Sequence, residues 1–226
     1  MTDFERLVFS FFNVEIMARY LPAIVEGFVL TVYLALAIIS TGLAVGLVLA
    51  LVRSLQVRPL NWVIVLCVDA LRALPPLVVI VLFYFGLPHA GIRMSGFVAA
   101  WASLSLVLAA FAEEIFWAGI LAVPRGQWEA ARSTGLGFGQ TLAFVILPHA
   151  VRLTIPPLTN RAIAITKGTA LASVVGVSEI LSQAMTGQSF SGNASPLTLG
   201  ALAYLVLFVP FVVAGRWIET RFAWKR

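Results

Sequence analysis

The sequence predicts an all-α integral membrane protein with about five spanning helices. Three observations carry that expectation. Of 226 residues, 61% are hydrophobic and only 11% are charged. Soluble domains carry about 25% charged residues, so this chain has too few to keep a folded surface in water. Its apolar residues fall in runs close to the roughly 20 residues that cross a bilayer. Its cations sit mostly in short gaps between those runs, as the positive-inside rule expects. A soluble domain, a disordered tail and a secreted disulfide scaffold are excluded. The net charge of +5 does not point to nucleic acid, because that reading needs a basic face on a soluble domain.

Residues 1–20 are read as an interfacial or periplasmic lead-in. Asp3 and Glu5 precede Arg6, the reverse of a signal peptide's basic start. The first span, 27–52, holds no charge and is closed by Arg53 and Arg58-Pro59. The second, 60–87, is interrupted by Asp69, Arg72 and Pro75-Pro76, so its first part is expected to lie tilted at the interface. The third, 95–123, contains Glu113 and Glu114. The fourth, 151–177, is weak, with Arg152, Pro156-Pro157, Arg161 and Lys167. Between spans, 186–195 is small and polar and reads as an outside loop. The fifth span, 196–215, stops at Arg216. These limits define one membrane domain over 21–216 and a basic tail over 217–226.

Five spans put the termini on opposite sides. One side collects Arg53, Arg58, Arg125, Arg132, Arg152, Arg216, Arg221, Lys225 and Arg226; the other collects Arg6, Arg19 and Arg93. The C-terminus is therefore expected in the cytoplasm and the N-terminus outside. Cys67, the single cysteine, lies in an apolar run and reads as a small core residue. Gly42 and Gly46 form a small-xxx-small face suited to helix packing.

The segment 124–148 breaks the membrane pattern on the cation-rich side. Pro124 suits a helix start, 127–133 is strong helix-forming material, and Gly135 supplies a left-handed stop. Gly137 and Gly139 are expected to keep the following stretch loose. A short helix along the cytoplasmic surface follows. Ala130-Ala131 admits a close backbone, and Glu129 suits the helix start and offers an acceptor to a partner.

Glu129-Ala130-Ala131, three residues, Gly135, nine residues and Val145-Ile146-Leu147-Pro148 resemble the EAA loop of ABC importer permeases. Arg72-Ala73-Leu74-Pro75-Pro76-Leu77 resembles the Arg-x-x-Pro-Leu-Leu element of polar amino-acid permeases. Ala112-Glu113-Glu114-Ile115-Phe116 with Gly119-Ile120 is similar to their Ala-Glu-Ile-Phe-Arg-Gly-Gly-Ile. Leu147-Pro148-His149-Ala150-Val151-Arg152, Pro156-Pro157, Asn160 and the stretch from Thr169 to Gly176 follow in register. The departures are Trp117 for Arg, Ala118 for Gly, Arg161 after Asn160, Gly168 for Asp before Thr169, and the extra acid Glu113. The resemblance covers 20–220 and implies the histidine/glutamine/arginine-type branch.

It implies a type I importer permease of MetI-like architecture, paired as a homodimer or with a sister permease in the bacterial inner membrane. It further implies two ATP-binding subunits, which hold ATP and Mg while this chain carries no cofactor, and a periplasmic amino-acid-binding protein. Surrounding lipid is the remaining partner. Gln127, Glu129, Ala130, Ala131 and Gly135 are the expected coupling residues. No P-loop, Ser/His/Asp set or HExxH sequence is present, and His89 and His149 are too far apart in sequence for a metal pair, so neither catalysis nor a metal site is expected.

Charges inside spans are costly and face protein or a wet cavity. Arg72, Glu114, Asn160, Arg161 and Lys167 are the candidate substrate-pathway residues. Asp69 and Arg72 share a helix face and are expected to pair, and Glu114 is expected to pair with Arg161 or Arg152, or to meet substrate. Glu113 and Glu114 point about 100° apart. The extra cations Arg161 and Lys167 disfavour cationic cargo, so acidic or neutral polar amino acids are expected. The rival reading is a small ion-coupled carrier or channel using Glu113, Glu114 and Lys167 as a relay.

Overall fold

The computed structural model describes residues 2–222 and contains helices and turns without a strand among them. The helices are α1 (Asp3–Phe11), α2 (Val14–Ser54), α3 (Arg58–Ala73), α4 (Pro76–Val81), α5 (Gly96–Ala122), α6 (Arg125–Ser133), α7 (Phe138–Thr141), α8 (Leu147–Lys167), α9 (Ile180–Ser191) and α10 (Ser195–Phe222). Four helical stretches are long and apolar enough to cross a membrane, Asp3–Ser54, Gly96–Ala122, Phe138–Val175 and Ser195–Ile218, and the pair Arg58–Ala73 with Pro76–Ala90 makes a fifth if its bent halves form one span. The halves meet at 106°, at the Pro75-Pro76 step. Proline removes a helical N–H and clashes with the preceding turn, so the break falls where the sequence put it. Lys225 and Arg226, counted above for orientation, lie outside the described residues.

Several expectations are corrected. The first helix is longer than 27–52. It runs 41 residues from Val14 to Ser54 with Pro22 inside it, because Glu15, Arg19 and Glu26 are compatible with helix although not with hydrocarbon. Residues 186–195 are mostly not a loop. α9 continues to Ser191, where Thr186, Ser189 and Ser191 donate to the carbonyls of Ser182, Met185 and Gly187 at 2.8, 2.9 and 2.7 Å. These hydroxyls satisfy themselves on their own helix, so a polar stretch folds as one. Gly192 ends it with φ 60°. Cys67 is exposed, on an outward face of α3 rather than in a core.

The fourth span starts at Phe138, well before 151. Gly137 caps it, its N–H donating to Gln140 Oε1 at 2.9 Å, so Gly139 lies in a formed turn. The helix widens into a π turn at Leu142–Ile146, just before Pro148. A second π turn, Leu82–Gly86, precedes Pro88 in the same way. An added residue per turn relieves the contact between the proline ring and the carbonyl four residues back, which lets both helices continue.

The chain divides into two compact units. One comprises the chain up to Ile38, Pro76–Leu104 and Ile165–Val212. Here Asn13 N–H donates to Ser195 Oγ at 2.9 Å, and Asn193 Nδ2 donates to the Phe9 carbonyl at 2.9 Å. Buried Glu179 caps α9 through the N–H groups of Leu181 and Ser182 at 2.9 and 2.7 Å and accepts from the Tyr204 hydroxyl at 2.5 Å. A buried carboxylate with three donors is compensated.

The other unit comprises Ile39–Pro75, Ser105–Ala164 and the chain from Val213. Its centre is the crossing of α2 and α5. A Cβ placed on Gly46 would lie 2.6 Å from Ala112 Cβ and 2.8 Å from the Ala109 carbonyl oxygen, and one on Gly42 would lie 2.8 Å from Leu108. Lipid supplies no drive to press apolar helices together, so small residues that permit close backbones supply the contact. Gly46→Val is expected to cost about 1–3 kcal/mol through overpacking. A lowered midpoint in thermal unfolding of detergent-solubilised protein is the expected result, and an unchanged midpoint would contradict this packing.

Candidate functional site

Residues 124–137 fold as the sequence required. Pro124 stands at the N-cap with extended backbone (ψ 138°), and α6 ends where the Thr134 hydroxyl donates to the Ala131 carbonyl at 2.7 Å. Gly135 follows at φ +91°, a conformation whose strain for side-chain-bearing residues glycine avoids. Gln127, Glu129 and Ala130 are exposed, and Ala131 is buried against its own unit. Of the two small residues, Ala130 is therefore the one an outside partner can approach.

The helix is anchored by residues the sequence reading did not select. The Trp128 ring stacks on Phe138 with centroids 5.5 Å apart. Trp128 also packs on a buried cluster of Ile120 from α5 and Val123 just after it with Leu142, Ile146 and Ala150, which Leu51 of α2 joins. α6 is thus seated against the C-terminal end of α5. A cavity of about 310 Å³ lies beside it, lined by Ser54, Trp117, Arg125, Trp128 and Phe138 among others.

A second cluster gathers around Phe111. Arg72 Nη2 meets Glu114 Oε2 at 2.5 Å, and Arg72 Nη1 lies 3.5 Å from Asp69. The Asp69–Arg72 pair is therefore present, but the shorter contact joins α3 to α5. Glu114 was expected to meet Arg161 or Arg152; it faces Arg72 because α3 lies against α5 there, a contact sequence spacing does not show. The Arg161 guanidinium lies 3.7 Å from the Phe111 ring centroid, and that of Arg72 lies 5.3 Å from it. Cations over an aromatic face are held by its quadrupole. Among the described residues Arg161 has this ring and no carboxylate in ion-pair range. Asn160 is exposed beside it. Lys167 belongs to the other unit, with its ammonium 6.0 Å from the Phe208 ring.

Glu113, fully buried, points elsewhere. Arg53 Nη1 donates to both its oxygens at 3.0 and 3.2 Å, and the same guanidinium lies 4.8 Å from the Trp117 ring. In the sequence Arg53 is only the charge that closes the first span. Its partners were visible as two departures from the family pattern spaced one helical turn apart. Among the described residues there is no cluster of metal-ligating side chains.

A helical membrane subunit with a broken second span and a short surface helix ahead of its fourth is the build of an importer permease. The chain belongs to the binding-protein-dependent transport system inner membrane components, whose family pattern matches residues 42–224. It is 33% identical to the probable glutamine ABC transporter permease protein GlnM of Bacillus subtilis (strain 168), over 92% of this chain and 97% of that one. It is 32% identical to the arginine transport system permease protein ArtQ of the same organism, over 89% and 93%. Among solved structures, an amino acid ABC transporter crystallised with histidines superposes with a TM-score of 0.84 at 31% identity, covering 92% of this chain and 98% of that one. The methionine transporter MetNI, in an inward-facing form, shares the fold with a TM-score of 0.67 at 20% identity, covering 94% and 100%. The chain is thus a multi-pass transport subunit and not an enzyme; in such transporters ATP is hydrolysed by a separate subunit.

That membership displaces the ion-relay alternative, whose Glu113 and Glu114 are each held by an arginine. Arg72→Gln and Glu114→Gln, tested singly and together, are expected to be non-additive in uptake, with a coupling of about 0.5–3 kcal/mol. Additive losses in uptake assays would show that the pair does not act as a unit.

Proposed function

We propose that this chain is the permease of an ATP-driven amino-acid importer and that α6 is its coupling helix. Amino acids are the cargo named for relatives similar over most of the chain, among them glutamine, arginine and L-cystine. The observation that carries the coupling role is α6 itself, with Gln127, Glu129 and Ala130 exposed, Gly135 closing it at φ +91°, and Trp128 rooted in the α5 cluster. In this reading an ATP-binding subunit receives α6 on the cytoplasmic side, with the C-terminus inside and the N-terminus outside. Two such subunits, a second permease copy or a sister chain, and a periplasmic binding protein complete the transporter. The domain limits are those given above, with the coupling segment over 124–148.

ATP-driven closure of the partner subunits moves α6. Trp128 passes the motion to Ile120 and Val123, and α5 carries it toward Glu114 and Phe111. There the cargo meets Arg72, Glu114, Asn160 and Arg161; Lys167, in the other unit, is a separate pathway candidate. The Arg72 and Arg161 guanidiniums offer charge to an α-carboxylate. Glu114 offers charge to an α-ammonium. Arg72 is balanced by Glu114 whereas Arg161 has no acid in ion-pair range among the described residues, so the cluster favours acidic or neutral polar amino acids over cationic ones.

Gly135→Val tests the coupling role. A β-branched residue resists positive φ, so the variant is expected to insert and to bind its ATPase while losing cargo-stimulated ATP hydrolysis. Normal stimulation would refute the assignment. In competition against labelled cargo, glutamine or glutamate is expected to outcompete arginine, and the reverse order would sink the preference.

A further inference from the structure

Arg53 ties α2 to α5 within one unit. It stands in the last turn of α2, where a cation is favoured by the helix dipole. Its guanidinium reaches α5 twice, bonding Glu113 and lying over Trp117, which are one turn apart on one face. Its carbonyl accepts from Asn61 Nδ2 of α3 at 3.1 Å. The close approach at Gly46, where an added Cβ would lie 3.0 Å from the Glu113 backbone nitrogen, lets the pair form. The Glu113 side chain has 0% exposure and that of Arg53 has 20%, so the bond is shielded from water and counterions.

The contacts between α2 and α5 nearest Arg53 are apolar, made by Leu43, Leu47 and Ala50 with Ala112, Ile115 and Phe116, and the Thr41–Ser105 hydrogen bond at 2.7 Å lies beyond them, toward the far end of the crossing. Apolar packing is non-directional. It holds helices together but fixes their axial register less sharply than a charge-assisted hydrogen bond, which is short and directional. We propose that Arg53 is a positioning residue for coupling: with Glu113 and Trp117 it locks the axial register of α2 against α5, so that motion entering α5 from Trp128 moves the two as one body. Without the lock, α5 slides against α2 and the motion reaches the Phe111 cluster weakened.

The inference rests on the coupling role of α6. The Gly135→Val experiment tests that role with the Arg53 contacts untouched, so the two fail separately. The assay here uses the full transporter in proteoliposomes and measures ATP hydrolysed per cargo molecule imported. The double variant Arg53→Met with Glu113→Leu removes the bond and keeps the volume, an exchange that is often neutral or stabilising for buried pairs. It is expected to raise the ratio about tenfold, within the range typical of coupling between sites. Arg53→Lys keeps a charge-assisted donor to Glu113 and is expected to stay close to the wild-type ratio. A merely structural role lowers hydrolysis and import together and leaves the ratio unchanged, so a wild-type ratio in the double variant overturns the proposal. If the double variant does not assemble, Glu113→Gln decides. It keeps the shape and loses the charge, and a raised ratio supports the lock while an unchanged one overturns it.

Discussion

The absence of water around membrane-embedded helices forces each polar group there to find its partner within the protein. Much of the unit built from α3, α5 and α8 follows from that constraint. Glu113 is tolerated because Arg53 bonds both its oxygens. Thr41 and Ser105 share a hydrogen bond at 2.7 Å between α2 and α5. Arg72 is drawn between Glu114 and Asp69, and the Arg161 guanidinium rests on the Phe111 ring. Each of these interactions also fixes which helix lies against which. In a core where lipid is as apolar as leucine, hydrophobicity alone would leave those choices weakly specified.

The same constraint explains the irregular backbone. Prolines 75, 76, 88, 148, 156 and 157 recur in the spans, and each removes a helical donor. The structure accommodates them by a sharp bend at 75–76, by π turns ahead of 88 and 148, and by continuous helix across 156–157. Opened helical turns leave carbonyls that tolerate exposure only where protein or a wet cavity lines them. The irregular turn before Pro148 adjoins the α6 anchor, since Leu142 and Ile146 pack with Trp128. The anchor of the surface helix and an irregular turn thus lie side by side.

Two acids adjacent in sequence illustrate how position on a helix decides role. Glu113 and Glu114 project about 100° apart. One becomes a buried anchor to α2 and the other a half-exposed partner to α3. The departures Glu113 and Trp117 read as unrelated irregularities in the sequence. Folded, they converge on one guanidinium, so the added acid and the lost arginine belong to a single local rearrangement.

Local chemistry was enough to settle much of this protein from sequence. The hydrocarbon thickness set roughly how many spans there are, Pro75-Pro76 set the bend, and Pro124 with Gly135 set a short surface helix whose Glu-Ala-Ala pattern carried the family resemblance. Each of these depends on neighbouring residues only. What sequence could not supply was partnership across helices. The pairing of Glu114 with Arg72 rather than Arg161, the Arg53 node, the seat of Trp128, and the outward face of Cys67 all depend on which helices meet and at what register. The polar run 186–195 was misread for a related reason: its hydroxyls bond back along their own helix, a geometry that composition does not reveal. Helix contacts join residues that are distant in the chain (60 positions separate Arg53 from Glu113), so only the tertiary structure could decide them.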